Sequence, residues 1–404
     1  MRRRQFMRAA AGVVAAALAP SAFARPKVPR IAVIGGGIVG ASIAMHLAEG
    51  GADVTQFEKS APAAGATRNS FAWINAFVAD RHYQALRLKS MAAYHRLDQR
   101  LQLGITWGGY LDWARDEAEV ATVSANVAQM QGTAYPVRTL TAAELAALEP
   151  KIDAGGTVLA ALYSSIDGHV DPVHATHRFL DQAARHGAHF LCPSEVQGFR
   201  IDQQGVRAVR TATGEVLADH VVIAAGVDTP ALLAMAGFSL KLRHSPGFLA
   251  HSAPVPMQLR SICDAPGGVS FKQMSDGSLV GTDSPDPPDL PVHAAIREHA
   301  VDFPDEATRA MHGNRALTKI TAFLPGARGA VLDHVTLGFR PVPMDGFPIV
   351  GQVPGAPGFY AVVTHSGVTL APILGEYVRA ELLDGQHVPM LAPYRPGRYS
   401  PTAG

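Results

Sequence analysis

The sequence has little of what marks disulfide-rich, repeat or nucleic-acid-binding proteins. Its 404 residues include two cysteines, Cys192 and Cys263, too few for a disulfide framework. We expect both cysteines to be buried free thiols, and the alternative is a single disulfide between them. Neither sign of charge is in excess, since 35 basic and 34 acidic residues give a formal charge of +1. With no basic block beyond the N-terminus and no internal repeats, nucleic acid is not an expected partner, and the length suits two domains.

Metal-ligand patterns are also missing. The closest group among the 17 histidines is His169, His174 and His177, and it has no cysteines or acids at ligand spacing. We therefore predict no metal site.

The N-terminal apolar run, residues 9–19, is shorter than the roughly 20 residues that a membrane span needs. Arginines precede it, with a twin-arginine pattern in residues 3–8, and the small-x-small triplet 22–24 follows it. These features predict a signal peptide over residues 1–24, export of the folded protein by the Tat machinery, and a periplasmic location. Cleavage would leave 31 basic against 34 acidic residues, a formal charge of −3. An uncleaved membrane anchor is the alternative.

A dinucleotide-binding unit follows. The apolar strand 31–34 leads into Gly35, Gly37 and Gly40 at GxGxxG spacing, and a helix with apolar periodicity continues to residue 48. The glycines allow the strand-to-helix turn, backbone approach to a pyrophosphate, and close helix packing. The N-terminus of the helix would face the phosphates.

An acidic residue completes this unit. The second strand, residues 52–57, ends at Glu58, which lies 21 residues after Gly37. That distance suits a carboxylate that accepts hydrogen bonds from ribose hydroxyls. The whole pattern predicts a bound dinucleotide.

Other segments have local signals. Residues 81–103 form a predicted amphipathic helix, residues 141–148 a short helix with a capping box, and residues 284–291 a turn-rich linker. Residues 221–226 and 358–363 read as strands, and Pro372 is placed to start a helix that runs through residue 383.

Five segments carry a resemblance to a known family. They are VIGGGIVGAS from Val33, DGHVDP from Asp167, VVIAAG from Val221, GFRPVPMDGFPIVG from Gly338 and HSGVTLAP from His365. In this order and spacing they resemble the FAD-dependent amine and amino-acid oxidoreductases, which include D-amino acid oxidase, glycine oxidase, sarcosine oxidase and D-amino acid dehydrogenase.

The resemblance implies an α/β fold in which a Rossmann-like FAD-binding domain receives an inserted, mostly antiparallel substrate domain. The FAD-binding domain is assigned to residues 28–80, 155–240 and 335–395. The substrate domain is assigned to residues 81–154 and 241–334.

The resemblance also implies the residues that contact FAD. Thr67, Asn69 and Ser70 would lie at the phosphates and the flavin edge, and the amides after Gly367 would face the flavin pyrimidine. The full set of implied cofactor-binding residues is Gly35, Gly37, Ile38, Val39, Gly40, Glu58, Lys59, Thr67, Asn69, Ser70, Val196, Ala225, Gly226, Gly346, Gly367, Val368 and Thr369.

Two residues are implied at the substrate. Arg340 matches the carboxylate-binding arginine of glycine oxidase-like members, and a guanidinium suits a carboxylate because it pairs bidentately. Pairing with Asp345 or with a domain-boundary carbonyl is its structural alternative. His365 matches a position beside the reactive face of the flavin, where it steers substrate, tunes a proton or only hydrogen-bonds a loop. Lys272, Arg243, His244 and Trp107 fall in the substrate domain without an assigned role.

The predicted reaction is oxidation of the C–N bond of a D-amino acid, glycine or an N-methyl amino acid by hydride transfer to FAD. An FAD-linked 2-hydroxy acid or polyol dehydrogenase and a non-catalytic flavoprotein are the alternatives. Relatives with covalent FAD attach it where this chain has Asn69 and Gly338, so we expect non-covalent FAD. Oxygen-using relatives carry a lysine where this chain has Leu279 and Val280, so the acceptor, oxygen or a quinone or electron carrier, is left open.

Overall fold

A computed structural model describes residues 28–283, 303 and 305–399, except for the side chain of His244. The predicted signal peptide, residues 1–24, and the predicted linker, residues 284–291, lie outside the described residues. None of the helices in the described ranges is long and apolar enough to cross a membrane. Both cysteines are free thiols, but only Cys263 is buried, whereas Cys192 is partly exposed.

The described part of the chain forms eight α-helices. They are α1 (Ile38–Glu49), α2 (Arg81–Leu101), α3 (Glu117–Met130), α4 (Ala142–Leu148), α5 (Pro172–Arg185), α6 (Thr229–Met235), α7 (Glu306–Ala322) and α8 (Gly367–Leu382). The predicted capping box is present, since Thr141 Oγ1 accepts from the amide of Glu144 and the Glu144 carboxylate accepts from the amide of Thr141.

The strands number nineteen in the same ranges. The first ten are β1 (Arg30–Ile34), β2 (Asp53–Phe57), β3 (Trp73–Ile74), β4 (Tyr110–Ala114), β5 (Arg138–Thr139), β6 (Ala160–Ser164), β7 (Gly168–His169), β8 (His189–Leu191), β9 (Val196–Asp202) and β10 (Gly205–Thr211). The others are β11 (Gly214–Leu217), β12 (His220–Ile223), β13 (Leu242–Ser252), β14 (Ile262–Ala265), β15 (Val269–Gln273), β16 (Leu279–Thr282), β17 (Leu332–Pro343), β18 (Ile349–Gln352) and β19 (Phe359–Val363).

A six-stranded sheet in the order β18-β19-β12-β1-β2-β8 organises the first lobe, and all its pairs are parallel except β18–β19. Its central strand is apolar on both faces. Ile31 and Val33 pack with α1, α2, α5 and α8, whereas Ala32 and Ile34 pack with α6 and the three-stranded sheet β11-β10-β9. Double burial explains why β1 reads as a continuous apolar run. The predicted βαβ unit is confirmed.

An eight-stranded sheet in the order β17-β13-β16-β15-β14-β4-β6-β5 organises the second lobe. Its pairs are antiparallel except β14–β4. Helix α7 covers one face, where Leu317, Ile320 and Phe323 share a core with Phe271 of β15. The predicted mostly antiparallel second sheet is therefore present.

The packing of two elements differs from the predicted domain boundaries. Helix α2, assigned to the substrate domain, packs on α8 in the core of the six-stranded sheet. Strand β6, assigned to the FAD-binding domain, pairs with β4 in the eight-stranded sheet. The apolar stripe of α2 predicts a buried face but not its partner, and the short strand β6 shows no alternation, so the sequence alone could not place either element.

Helix α8 also corrects a prediction. It begins at Gly367, and Pro372 lies inside it rather than at its start. Proline is favoured in the first turn of a helix because it lacks an amide hydrogen, and inside a helix it leaves one carbonyl without a donor. Here the Tyr94 hydroxyl of α2 donates to that carbonyl, the oxygen of Val368. A contact distant in sequence therefore permits an interior proline.

Candidate functional site

A cavity of about 480 Å³ opens where the carboxyl ends of β1, β2, β12 and β19 meet the turn before α1 and the start of α8. Ligands of open α/β sheets bind at such an edge. Fourteen of the predicted site residues line it: Gly35, Gly37, Ile38, Val39, Glu58, Lys59, Thr67, Ser70, Val196, Ala225, Gly226, His365, Gly367 and Val368. The fold therefore brings these fourteen residues together at one cavity.

The turn into α1 packs closely on the end of β12 and leaves the N-terminus of α1 without a side-chain cap. Gly35 has φ +116°, and a Cβ there would lie 2.4 Å from the carbonyl oxygen of Ala224. The N-cap of α1 is Gly37, which has no side chain to bind the first-turn amides. One of these amides, that of Ile38, donates to Thr67 Oγ1 at 3.1 Å. The uncapped N-terminus faces the cavity and favours an anionic group.

The carboxylate of Glu58 is held on the same side of the cavity. Its Oε2 accepts from the amide of Gly36 at 2.7 Å, and its Oε1 accepts from the amide and hydroxyl of Ser60 at 2.8 and 3.0 Å. These contacts fix the carboxylate while its other lone pairs stay available to ribose hydroxyls. The adjacent Lys59 pairs with Asp228 at 2.7 Å at the cavity wall.

Helix α8 presents a second uncapped N-terminus to the cavity. Its N-cap, Ser366, makes no side-chain hydrogen bond to the helix, and its hydroxyl accepts from Arg87 of α2 instead. Gly367 and Val368 line the cavity. The residues present therefore fit FAD, with a pyrophosphate at α1 and a negatively charged flavin pyrimidine at α8.

Five predicted residues do not line the cavity but support its wall. Gly40 packs on the turn that follows β1, since a Cβ there would lie 2.1 Å from the Gly35 oxygen, and Thr369 donates to the Trp73 carbonyl at 2.9 Å. Asn69 donates to the Gly65 carbonyl at 3.1 Å. Gly346 forms a turn with φ +80°. Arg340 stands on β17 between the lining residues Phe339 and Pro341.

The guanidinium of Arg340 is set in place by β13. It donates to Ser245 Oγ at 2.6 Å, and Arg340 and Ser245 are direct partners across β17 and β13. Of the alternative partners predicted for Arg340, Asp345 pairs with Arg398 at 2.7 Å and is engaged elsewhere. Arg340 Nε does donate to a carbonyl, that of Ser245, at 3.4 Å.

The positive charges of three arginines act on His365 at this end of the cavity. His365 is exposed where it lines the cavity. Neighbouring protein atoms remove part of its hydration, and this together with the positive charges of Arg340, Arg87 and Arg243 lowers the pKa of His365 to about 4. The ring is therefore neutral at physiological pH, in a strongly positive environment.

Arg87 is a site residue that the sequence did not indicate. It is 7% exposed, donates to Asn75 Oδ1 at 2.7 Å and to Ser366, and stacks over the Tyr83 ring at 4.7 Å. Within the described residues no carboxylate lies within ion-pair distance of it, and its Nε has no partner. A signal exists in α2, because the polar residues Tyr83, Arg87, Ser90 and Tyr94 recur at helical spacing and all are buried.

An aspartate network supports the adjoining wall. Asp167 is fully buried and accepts from Trp73 Nε1 at 2.6 Å, from the Tyr135 hydroxyl and from Ser164 Oγ at 3.0 Å. Burial raises the pKa of Asp167 to about 7, and the three donors act in the opposite direction. This network sets the orientation of Trp73, whose carbonyl binds Thr369 of α8.

The comparisons with known proteins agree with this geometry. The family model described as FAD dependent oxidoreductase, DAO, matches residues 30–381. Glycine oxidase of Geobacillus kaustophilus (strain HTA426) is 27% identical over 377 residues, which are 90% of this chain and 95% of the relative. Mitochondrial dimethylglycine dehydrogenase of Homo sapiens is 24% identical over 388 residues, which are 91% of this chain and 44% of that longer relative. The crystal structure of glycine oxidase from Geobacillus kaustophilus superposes with a TM-score of 0.78 at 25% identity, covering 91% of this chain and 98% of the other.

Proposed function

The chain belongs to the DAO family of FAD-dependent oxidoreductases, and we propose that it oxidises the C–N bond of a small amino acid or another amine that carries a carboxylate. The observation that carries this proposal is positive charge where α8 begins: Arg340 lies between two cavity-lining residues, Arg87 donates to the N-cap residue Ser366, and both act with Arg243 on His365. Positive charge at this point suits a substrate carboxylate. The relatives named glycine oxidase and dimethylglycine dehydrogenase support the same substrate class.

The residues of the chain supply binding and electrostatics. When bound, FAD would accept a hydride from the substrate carbon. Arg340, preset by Ser245, pairs with the substrate carboxylate and orients the carbon. The arginines that lower the pKa of His365 also favour the neutral form of a bound amine, which is the form that can be oxidised to an imine. Neutral His365 accepts or donates one hydrogen bond at the cavity wall.

Arg340→Ala tests the clamp. Loss of a charge-assisted pair should raise the activation free energy for carboxylate substrates by about 2–5 kcal/mol, which lowers kcat/KM by roughly 30-fold to 5,000-fold. Arg340→Lys should recover only part of the lost kcat/KM, because lysine keeps the positive charge but cannot pair bidentately. Arg200→Ala, which removes an exposed arginine of the three-stranded sheet, is the matched control. An unchanged kcat/KM in Arg340→Ala contradicts the clamp.

The reaction itself is tested by anaerobic mixing with D-amino acids, glycine, N-methyl amino acids, 2-hydroxy acids and polyols in turn. Bleaching of the visible flavin band by an amine class supports the proposal. Bleaching by hydroxy acids or polyols alone favours the dehydrogenase alternative. Protein that holds FAD and bleaches with none of them is a non-catalytic flavoprotein.

We further propose that FAD is held without a covalent bond. A Cβ at Gly338 would lie 2.5 Å from the Cβ of Asn69, so these two positions are in contact and neither offers a cysteine or histidine. Acid precipitation should release all flavin into the supernatant. Flavin that stays with the precipitated protein contradicts non-covalent binding.

Two finer proposals rest on the sequence. Electrons pass from the flavin to oxygen or to a quinone or electron carrier, and readmission of air to the reduced protein distinguishes them.

Residues 1–24 direct Tat export to the periplasm. Fractionation of cells that produce the native chain and a variant with lysines at Arg3 and Arg4 tests this, because a block of export by the variant is the expected result.

A further inference from the structure

Lys272 of β15 is a buried amine that forms no ion pair in the described part of the chain. Burial lowers its pKa to about 7, and the charge of Asp171 acts in the opposite direction. Its side chain is 1% exposed, and within the described ranges it has no hydrogen-bond acceptor and no carboxylate within 4 Å. Its Nζ lies 5.3 Å from the centre of the Phe71 ring, which compensates the charge in part. A buried unpaired ammonium costs folding free energy, so its presence calls for a ligand or a chemical role.

The side chain of Lys272 points toward the FAD-binding lobe. Its neighbour Phe271 packs against α7 on the outer face of the eight-stranded sheet, and successive residues of a strand point to opposite faces. The ring that Lys272 contacts, Phe71, directly follows the cavity-lining residue Ser70. Lys272 therefore stands at the junction of the two lobes.

Lys272 and Arg340 share one face of the sheet. In the register, Lys272 pairs with Val280, Val280 with His251, and His251 with His334. Arg340 lies six residues after His334 on β17. Because side chains alternate between the two faces of a sheet, an even separation places Arg340 on the same face as His334. Strands β16 and β13 separate β15 from β17, so the two cations occupy separate positions on that face.

His169 adds a second unpartnered polar group on the same side of the junction, since it pairs with Trp73, which lies two residues after the Phe71 that Lys272 contacts. Its ring is 2% exposed, and its Nε2 has no hydrogen-bond partner in the described part of the chain. Burial and the positive charge of Lys272 lower the pKa of His169 to about 2, so the ring is neutral. A neutral imidazole and an ammonium can bind one carboxylate together.

We propose that Lys272, with His169, binds a second carboxylate of the substrate, so that the preferred substrates are amines with two carboxylates, such as N-(carboxyalkyl) amino acids or acidic amino acids. Arg340 binds the first carboxylate. This inference rests on the proposed amine oxidation for its catalytic part. Its binding part is independent of turnover.

Binding is tested with dicarboxylates from malonate to adipate, each compared with the monocarboxylate of the same carbon number, by titration of the flavin spectrum. At least one dicarboxylate should bind 30-fold or more tightly than its partner. Lys272→Met should remove this preference, and Lys272→Arg should keep it. Lys319→Met, which removes a lysine from α7 on the other face of the sheet, should leave it unchanged. A preference that persists in Lys272→Met overturns the proposal.

Catalysis is tested by anaerobic reduction with iminodiacetate against N-methylglycine. Lys272→Met should lower the rate constant divided by Kd at least 30-fold for the dicarboxylate and less than threefold for the monocarboxylate. Equal losses for both, or a change confined to reoxidation by oxygen, overturn the proposal. If no amine reduces the flavin while dicarboxylate binding still depends on Lys272, the proposed function fails and the second carboxylate site stands.

Discussion

Replacement of Tyr94 by phenylalanine should release the start of α8 from α2. In a regular α-helix the Val368 carbonyl would accept from the amide of residue 372, but Pro372 has no amide hydrogen. The Tyr94 hydroxyl donates to this carbonyl, and Tyr94 is fully buried. The variant keeps the ring, so the loss is confined to one hydrogen bond whose acceptor stays buried.

The cost of Tyr94→Phe in the free energy of unfolding depends on whether another donor reaches the Val368 carbonyl. A buried acceptor without a donor costs about 1–3 kcal/mol. Ser90→Ala is the matched control, because Ser90 Oγ donates at 2.6 Å to the next carbonyl, that of Thr369. Four residues after Thr369 comes Ile373, which has an amide, so the carbonyl keeps a helical donor and the cost falls to about 1 kcal/mol or less.

Denaturant unfolding of the FAD-loaded protein and the dissociation constant for FAD measure the effect. Tyr94→Phe should lower the free energy of unfolding more than Ser90→Ala does, and it should weaken FAD binding because α8 begins at the cavity wall. A cost of Ser90→Ala equal to or above that of Tyr94→Phe would refute the argument from Pro372.

The remaining predictions concern titration and the buried network. Because the pKa of His365 is lowered from 6.5 to about 4, the ring stays neutral above about pH 5. His365→Gln should therefore leave the shape of the kcat/KM profile between about pH 5 and 8 unchanged. For the same reason this histidine makes the folded state less stable as pH falls from about 6.5 to 4, a loss that the variant should lack in unfolding experiments. Asp167→Ala leaves three donors without their acceptor, the buried hydroxyls of Tyr135 and Ser164 and the partly buried indole of Trp73. It should cost roughly 3 kcal/mol or more in the free energy of unfolding, whereas a cost below about 1 kcal/mol would contradict the network.

The features that the sequence predicted correctly are those with a local cause. The βαβ unit combines an apolar strand, three glycines and an acid within 29 residues, and all of its signals lie in that stretch. The capping box of Thr141 and Glu144 depends on residues three apart. Such patterns are readable because the atoms that interact are near neighbours in the chain.

The features that the sequence missed depend on distant contacts. Pro372 suggested a helix start, yet α8 begins five residues earlier because Tyr94 supplies the missing donor. Lys272 lies in a strand, VSFKQ, whose residues are nearly all buried, so alternation alone does not show which face meets the other lobe. Arg87 belonged to a visible polar stripe on α2, but its partner Ser366 lies 279 residues away.

Positive charge at both ends of the cavity lowers the folding stability of the protein when no ligand is bound. The N-termini of α1 and α8 face it without side-chain caps, and Arg87, Arg340 and Arg243 act on His365 at one end. Like charges held together repel and lower the stability of the ligand-free protein. Anions that bind there relieve this repulsion, and any ligand that binds the folded state alone stabilises it by mass action. The same arrangement that favours a pyrophosphate, a negatively charged flavin and a substrate carboxylate therefore couples folding of the two lobes to their binding.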